Sequence, residues 1–235
     1  MYLLSKKSVG WAHRGWNPGS GCNNNFECRD YCFMWDMEHR KFVSMVPIFH
    51  RDRLELPLKR RIKPSRVFVT IAGDLLCPGF KDDEIQAVID VVRKCHEEGK
   101  GHIFFFLTKK PARYKYFDFP PNAWCGTSIT GDDANNRLGK LIMNTERNRY
   151  ASIEPFLECP LYCDGEFYGI DWLIIGGRSG KKPFKPPAEW VAHVLQGARR
   201  ANIPVFLKHN TGYTPLIQQF PAEIIMPWEK GINHG

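Results

Sequence analysis

The sequence predicts an α/β fold of parallel strands, a partial or complete β/α barrel. Three observations carry that expectation: short apolar runs recur from Val67 to Leu207, helix-patterned stretches separate them, and small or polar residues follow each run. Strands that alternate with helices pair in parallel. In a barrel, or an open relative of one, such strands all end at the same face, where ligands bind.

In chain order, Ser8 to Asn17 reads as a short strand carrying Val9, Trp11, His13 and Trp16, and the turn Asn17-Pro18-Gly19-Ser20-Gly21 follows. Phe33 to Lys41 holds good helix formers and no breaker, so a helix is expected from about Cys32. Residues 46–66, rich in proline and basic groups, read as an irregular connecting loop. Val67 to Ile71 is a strand pattern, and Asp82 to Cys95 places Ile85, Val88, Ile89 and Val92 at helical spacing behind Asp82 as a cap. The unit repeats: His102 to Leu107 precedes a helical Pro111 to Tyr116, and Ala123 to Thr127 precedes a helical Asp132 to Met143. Arg149 to Ile153, Trp172 to Ile175 and Pro204 to Leu207 complete the strands, with an amphipathic helix from Pro187 to Arg200 before the last. Leu157 to Tyr168 and the tail from Thr214 read as loops, because Pro215, Pro221 and Pro227 prevent a long helix. Neither break separates a second core, so residues 1–235 are expected to form one domain.

Hydrophobic residues at 43% and charged residues at 25% match a soluble globular chain and exclude a disordered or fibrous one. Eight cysteines in 235 residues are too sparse for a small disulfide scaffold. The first residues are too few for a signal peptide, and no apolar run approaches about eighteen residues, so a cytoplasmic protein without a membrane anchor is expected. The net charge is +8, and Arg51, Arg53, Lys59, Arg60, Arg61, Lys63 and Arg66 fall within sixteen residues. Such a stretch attracts a polyanion such as nucleic acid, or is simply a solvated basic loop; charge alone reads no base and performs no reaction.

Cys22, Cys28 and Cys32 are spaced C-x5-C-x3-C, with Asn23, Asn24 and Asn25 in the first gap. Three thiolates hold three irons of a cubane cluster and leave the fourth open, whereas a closed cluster or structural zinc takes four ligands. The alternatives are three inert cysteines, or a zinc site completed by His13 or His39. Cys77, Cys95 and Cys125 fall in core-type contexts, and Cys159 with Cys163 offers a pair for a second metal.

The expected strand ends carry Gly73-Asp74, Thr108-Lys109, Ser128, Glu154, Gly176-Gly177-Arg178-Ser179-Gly180 and Lys208-His209. The glycine loop matches neither the dinucleotide nor the triphosphate fingerprint, but lets backbone approach a small ligand. Asp74 and Glu154 suit an ammonium or a ribose, and Lys109 and Lys208 a carboxylate or phosphate. Each alone is more often a capped turn or a surface ion pair, and their joint placement carries the case.

Trp16-Asn17-Pro18, the cysteine trio, Asp74-Leu75, Leu107 to Arg113, Pro121 to Ser128, Ser152 to Phe156, Asp171 to Gly177 and Phe206-Leu207-Lys208 resemble, in order, the phage-associated three-cysteine-motif family of radical SAM-like proteins. The likeness runs from about Trp11 to Gly212. It implies a barrel of the radical SAM type with a 4Fe-4S cluster on Cys22, Cys28 and Cys32 and S-adenosyl-L-methionine on the open iron. An external electron donor would reduce that cluster, and hydrogen abstraction would follow on a substrate such as a nucleobase in DNA, for repair or modification. Tyr31, Gly73, Asp74, Ser128, Glu154, Gly176 and Gly177 would line the cofactor side, and Lys109, Arg178, Lys208 and His209 the substrate side. The chain departs from the family's pattern in its second cysteine gap, in Arg178 where a glutamate is usual, and in His209 where a glutamine is usual.

Overall fold

The structure, a computed structural model, describes residues 1–3, 9–23, 28, 30–32, 34–35, 44–130, 134–146, 148–159 and 167–230. Its strands are β1 (Tyr2–Leu3), β2 (Arg14–Trp16), β3 (Gly19–Ser20), β4 (Ile48–Phe49), β5 (Arg66–Val69), β6 (Ile103–Thr108), β7 (Ala123–Ile129), β8 (Arg149–Ile153), β9 (Trp172–Ile175) and β10 (Val205–Leu207). The helices are α1 (Asp82–Glu97), α2 (Ala134–Asn144) and α3 (Ala188–Arg200). One sheet runs β1-β2-β5-β6-β7-β8-β9-β10, with β3 and β4 paired separately. β1 is antiparallel to β2, and every other neighbour in the large sheet is parallel. β1 and β10 are its edges, so the barrel is the partial one, an open half-barrel.

The alternation of side chains sorts the strands onto two layers. Val67, Phe104, Phe106, Cys125, Ala151 and Leu173 belong to the outer layer, beneath the helices. The helices meet it with the residues that the sequence spacing selects: Ile85, Val88, Ile89 and Val92 of α1, and Val191, Val194 and Leu195 of α3, are buried. Asp82, Asp83 and Glu84 in the first turn of α1, and Lys94 and His96 in its last, complement the helix dipole.

The other parity faces inward and is aromatic near the amino ends of the strands. Phe105, Trp124, Tyr150, Trp172, Ile174 and Phe206 form this inner layer, and Trp11 from the amino-terminal segment and Ile224 from the tail close it. Trp172 is its centre, with ring centroids 5.8 Å from Trp11, 5.8 Å from Phe105 and 5.6 Å from Phe220. Large rings fill the half-barrel below the candidate site and make a floor rather than a channel.

Several elements differ from the sequence reading. β5 ends at Val69 because Thr70 takes φ 53°, which turns the chain out of the sheet. Pro111–Tyr116 is a 3-10 helix, not an α-helix. Asp82 is the first helical residue rather than the cap; the Lys81 N–H donates to Glu84 Oε2 at 3.0 Å and closes the start of α1. The connection 46–66 is less irregular than its composition suggests, holding β4, the start of β5 and 3-10 turns at Arg51–Arg53 and Leu56–Leu58. Of the helix expected at Phe33 to Lys41, only Met34 and Trp35 are described, and both are helical. Asp132 and Cys163 lie outside the described residues. Among the described residues no helix is long and apolar enough to cross a membrane.

A buried ionic latch fastens the tail beneath the sheet. Arg66, 2% exposed, donates to Glu229 Oε2 at 2.5 Å and Oε1 at 2.8 Å, to the Trp11 carbonyl at 2.7 Å and to the Ile224 carbonyl at 3.1 Å. Its guanidinium also lies over the Phe220 ring at 4.1 Å. His13 Nε2 is 3.0 Å from Glu229 Oε1, and burial, with the Arg66 charge beside it, lowers the His13 pKa to about 4. Burial alone raises the Glu229 carboxyl, but the hydrogen bonds from Arg66 and the Met226 N–H outweigh it and the net shift is downward.

Two outcomes follow for stability. Glu229→Ala leaves Arg66 buried without its counter-charge and should cost about 3–5 kcal/mol in chemical denaturation; an unchanged midpoint would contradict the latch. His13 folds with a pKa near 4 against 6.5 when free, so its contribution is full above about pH 6.5 and is lost as pH falls towards 4. His102, buried and lowered to about 4, adds in the same window, and Glu229 extends the loss below about pH 4.5. The melting temperature should therefore fall between pH 6.5 and 4, and less steeply in His13→Gln.

Candidate metal centre and binding face

The inward parity continues past the strand ends and selects the polar residues of the candidate site. On β7 it runs Trp124, Gly126, Ser128; on β8, Tyr150, Ser152, Glu154; on β9, Trp172, Ile174, Gly176; on β10, Phe206, Lys208. The register holds these rows level, with Ser128 opposite Ser152 and Ser152 opposite Ile174. The ladder extends beyond the strands, since Gly176 N–H donates to the Ile153 carbonyl at 3.0 Å and Lys208 N–H to the Ile175 carbonyl at 2.8 Å. Tyr150 and Trp172 thus lie beneath, Ser128 and Ser152 are level with Ile174 and Phe206, and Glu154, Gly176 and Lys208 lie above.

Lys208 Nζ is ion-paired with Glu154 Oε1 across Gly176. A Cβ on Gly176 would come 2.9 Å from Glu154 Cδ and 3.0 Å from Lys208 Cδ, so glycine there makes room for the pair. Gly73 has a different role from the one its position suggests. It bridges Gly21, and a Cβ on it would meet the Gly21 carbonyl oxygen at 2.1 Å, so glycine there admits the neighbouring backbone.

Asp74 is a brace. Its Oδ2 accepts from Thr108 Oγ1 at 2.9 Å and from the Lys109 N–H at 3.0 Å, and its Oδ1 from the Leu76 N–H at 3.0 Å. The carboxylate thereby ties the turn after β5 to the end of β6. Gly177 N–H donates to Asn210 Oδ1 at 3.1 Å, and His209 is exposed on the 3-10 turn His209–Thr211.

The cysteine segment is held over the strand ends by two contacts. Tyr31 Oη and Thr130 Oγ1 share a hydrogen bond of 2.9 Å just beyond β7, and Arg178 just beyond β9 donates to the Asp30 carbonyl. Tyr31 and Arg178 therefore act as posts, one carried by the segment and one reaching up to it. Cys28 and Cys32 sit on one helical turn, the Cys32 N–H donating to the Cys28 carbonyl at 2.8 Å.

Their thiols share a hydrogen bond. That bond is the largest cause lowering the Cys32 pKa to about 6; burial opposes it, while the Trp35 and Met34 N–H groups and Lys109 assist. Cys22 pairs elsewhere, with Cys77, whose pKa falls to about 7 through that hydrogen bond and the Asn23 N–H, 3.3 Å from Cys77 Sγ. Cys77 is fully buried beside the Asp74 turn. Among the described residues no three His, Cys, Asp or Glu side chains converge into a group able to hold a metal ion. In donor chemistry these thiols fit a sulfur-liganded iron centre, with one contact joining Cys28 to Cys32 and another Cys22 to Cys77.

A family model described as "Protein of unknown function (DUF5131)" matches residues 6–222. The chain belongs to the DUF5131 family. No curated protein and no solved structure matches it.

The sequence reading of this DUF5131 chain named Cys77 without assigning it to the site, and passed over Thr130 and Asn210. Cys77 carried a usable signal, three residues after Asp74 in a turn already assigned to the site. Thr130 and Asn210 carried none, because their partners are distant in sequence. Cys95 and Cys125 are buried in the outer layer, as expected of core cysteines, and burial pushes both thiols up.

Thiol labelling tests this arrangement. In metal-free protein, alkylation of Cys32 by iodoacetamide should be half-maximal near pH 6, and Cys28→Ala should move that midpoint towards the ordinary range. A Cys32 midpoint near 9 in the parent protein would refute the thiol pair.

Proposed function

We propose that this chain is a radical SAM-type enzyme in which Cys22, Cys28 and Cys32 hold a 4Fe-4S cluster whose open iron takes S-adenosyl-L-methionine. The observation that carries the reading is the seating of the cysteine segment, pinned by Tyr31 to Thr130 and by Arg178 to Asp30, over the polar ends of parallel strands. A cluster held there and reduced by an external donor would supply the electron for cleavage of S-adenosyl-L-methionine to methionine and a 5′-deoxyadenosyl radical.

The chain's own residues bind and shield. Cys32, with its pKa near 6, offers thiolate at neutral pH. Glu154 and Lys208 present a carboxylate and an ammonium side by side, complementary to the ammonium and carboxylate of an amino-acid moiety. Gly176 accommodates the Glu154–Lys208 pair, and the aromatic layer beneath keeps bulk water from reactive species. Asp74 orients rather than reacts, because three donors occupy its oxygens.

One observation favours a second reading. Cys77 beside Cys22 brings the number of thiols near the strand ends to four, the donor set of a closed zinc or iron–sulfur site without catalysis. Anaerobic reconstitution separates the two. The enzyme reading expects about four irons and four sulfides per chain, 5′-deoxyadenosine on reduction with S-adenosyl-L-methionine, loss of the cluster in Cys28→Ala, and its retention in Cys77→Ser. One zinc per chain with no 5′-deoxyadenosine would overturn it.

A further inference from the structure

The loop after β9 folds back on itself. Arg178 N–H donates to the Phe184 carbonyl at 2.8 Å and Phe184 N–H to the Arg178 carbonyl at 3.0 Å, so residues 178–185 form a small hairpin whose turn, Ser179 to Pro183, is exposed. Gly180 takes φ 96° within that turn. The hairpin is clamped at its root: Asn210 Nδ2 donates to the Gly177 carbonyl at 2.8 Å and to Ser179 Oγ at 3.0 Å. A Cβ on Gly177 would lie 2.5 Å from the Phe184 carbonyl oxygen and 2.6 Å from that of Asn210, so the root is packed backbone to backbone.

This finger is basic and carries an aromatic ring. Arg178, Lys181, Lys182 and Lys185 fall within eight residues, and no acidic residue occurs between Asp171 and Glu189. Lys181, Lys182 and Lys185 are exposed, and Phe184 is 36% exposed with its ring 6.3 Å from that of Trp190. Arg178 at the root touches the cysteine segment, which sets the finger on the rim of the proposed site.

The basic stretch at residues 51–66 is placed differently. Arg66 is consumed by the buried latch, and Lys59 to Lys63 lead directly into Ser65, whose carbonyl pairs with Ile103 at the amino end of β6. Lys63, two residues before Ser65, therefore lies towards the amino ends of the strands, away from the cysteine segment.

We infer that the Arg178–Lys185 hairpin grips the phosphate backbone of a single-stranded nucleic acid and presents one nucleotide to the face beneath the cysteine segment. The inference rests on the reading of that face as an active site and supplies its substrate class. Closely spaced lysines on a pre-ordered turn neutralise successive phosphates with little further ordering, and an exposed ring beside them offers a base a stacking surface. A single strand is required because a base in a duplex cannot reach the inner face without leaving its stack.

Fluorescence anisotropy with labelled single-stranded DNA and RNA across a salt series tests this on metal-free protein, so that failure of the cluster chemistry leaves the measurement intact. The full chain should bind one or both strands more tightly than duplex, with affinity falling steeply as salt rises. Lys181→Ala/Lys182→Ala/Lys185→Ala should weaken binding at least about tenfold and reduce the salt slope by about 2, near 0.7 for each lost contact. Lys59→Ala/Arg60→Ala/Arg61→Ala should bind as the parent does. Absence of binding by the parent, unchanged binding by the hairpin variant, a loss confined to the 59–61 variant, or equal retention on anionic vesicles and oligonucleotides would each overturn the assignment. Normal 5′-deoxyadenosine formation beside absent oligonucleotide binding would reject the hairpin proposal alone.

Discussion

The parallel register from β5 to β10 is the constraint on which the rest depends. Because each strand is in step with its neighbour, one parity of side chain faces inward on all of them, and the rows lie level. Successive inward rows run from Tyr150 and Trp172, through Ser128, Ser152, Ile174 and Phe206, to Glu154, Gly176 and Lys208, so a floor and a rim come from one alternation. A one-residue slip in β8 or β10 would exchange Tyr150 or Phe206 for an outer aliphatic, and would move Glu154 or Lys208 to the helix side. The Glu154–Lys208 pair across Gly176 follows from that alignment without further apparatus.

The chain invests in closing this half-barrel at both ends. Below, Trp11, Phe220 and Ile224 seal the aromatic row, and the Arg66–Glu229 latch fixes the tail that delivers two of them. Above, the Asp74 carboxylate stitches two loops together, and Tyr31 and Arg178 hold the cysteine segment. Thermodynamic stability and site geometry are therefore linked through the same strands, although the latch and the thiols occupy opposite ends.

Much of this was legible in the sequence because local pattern and tertiary role coincide. Arg149–Ile153 and Trp172–Ile175 were bounded by their own apolar runs, and α1 and α3 bury the faces that their spacing selects. What was not legible depends on contacts between distant residues. Arg66 reads as one more charge in a basic stretch until Glu229, 163 positions later, is brought to it. Gly73 reads as a ligand-admitting glycine until Gly21 is found against it. Cys77 is a core residue, and that Cys22 lies beside it was not legible; Thr70 reads as strand because a β-branched residue seldom adopts positive φ. The polar strand ends were found from order alone, but their division into brace, post and open face needed coordinates.

The central claim is that the thiols at the strand ends leave one iron free for a sulfonium nucleoside. Electron paramagnetic resonance of the reduced, reconstituted protein tests it directly, because a ligand that enters the cluster's coordination changes its signal whereas one bound elsewhere leaves it nearly unaltered. The account predicts a signal that shifts when S-adenosyl-L-methionine is added, in the parent protein and in Cys77→Ser alike. A signal indifferent to S-adenosyl-L-methionine in the parent protein, or one that becomes responsive only after Cys77 is removed, would mean that four sulfurs close the site.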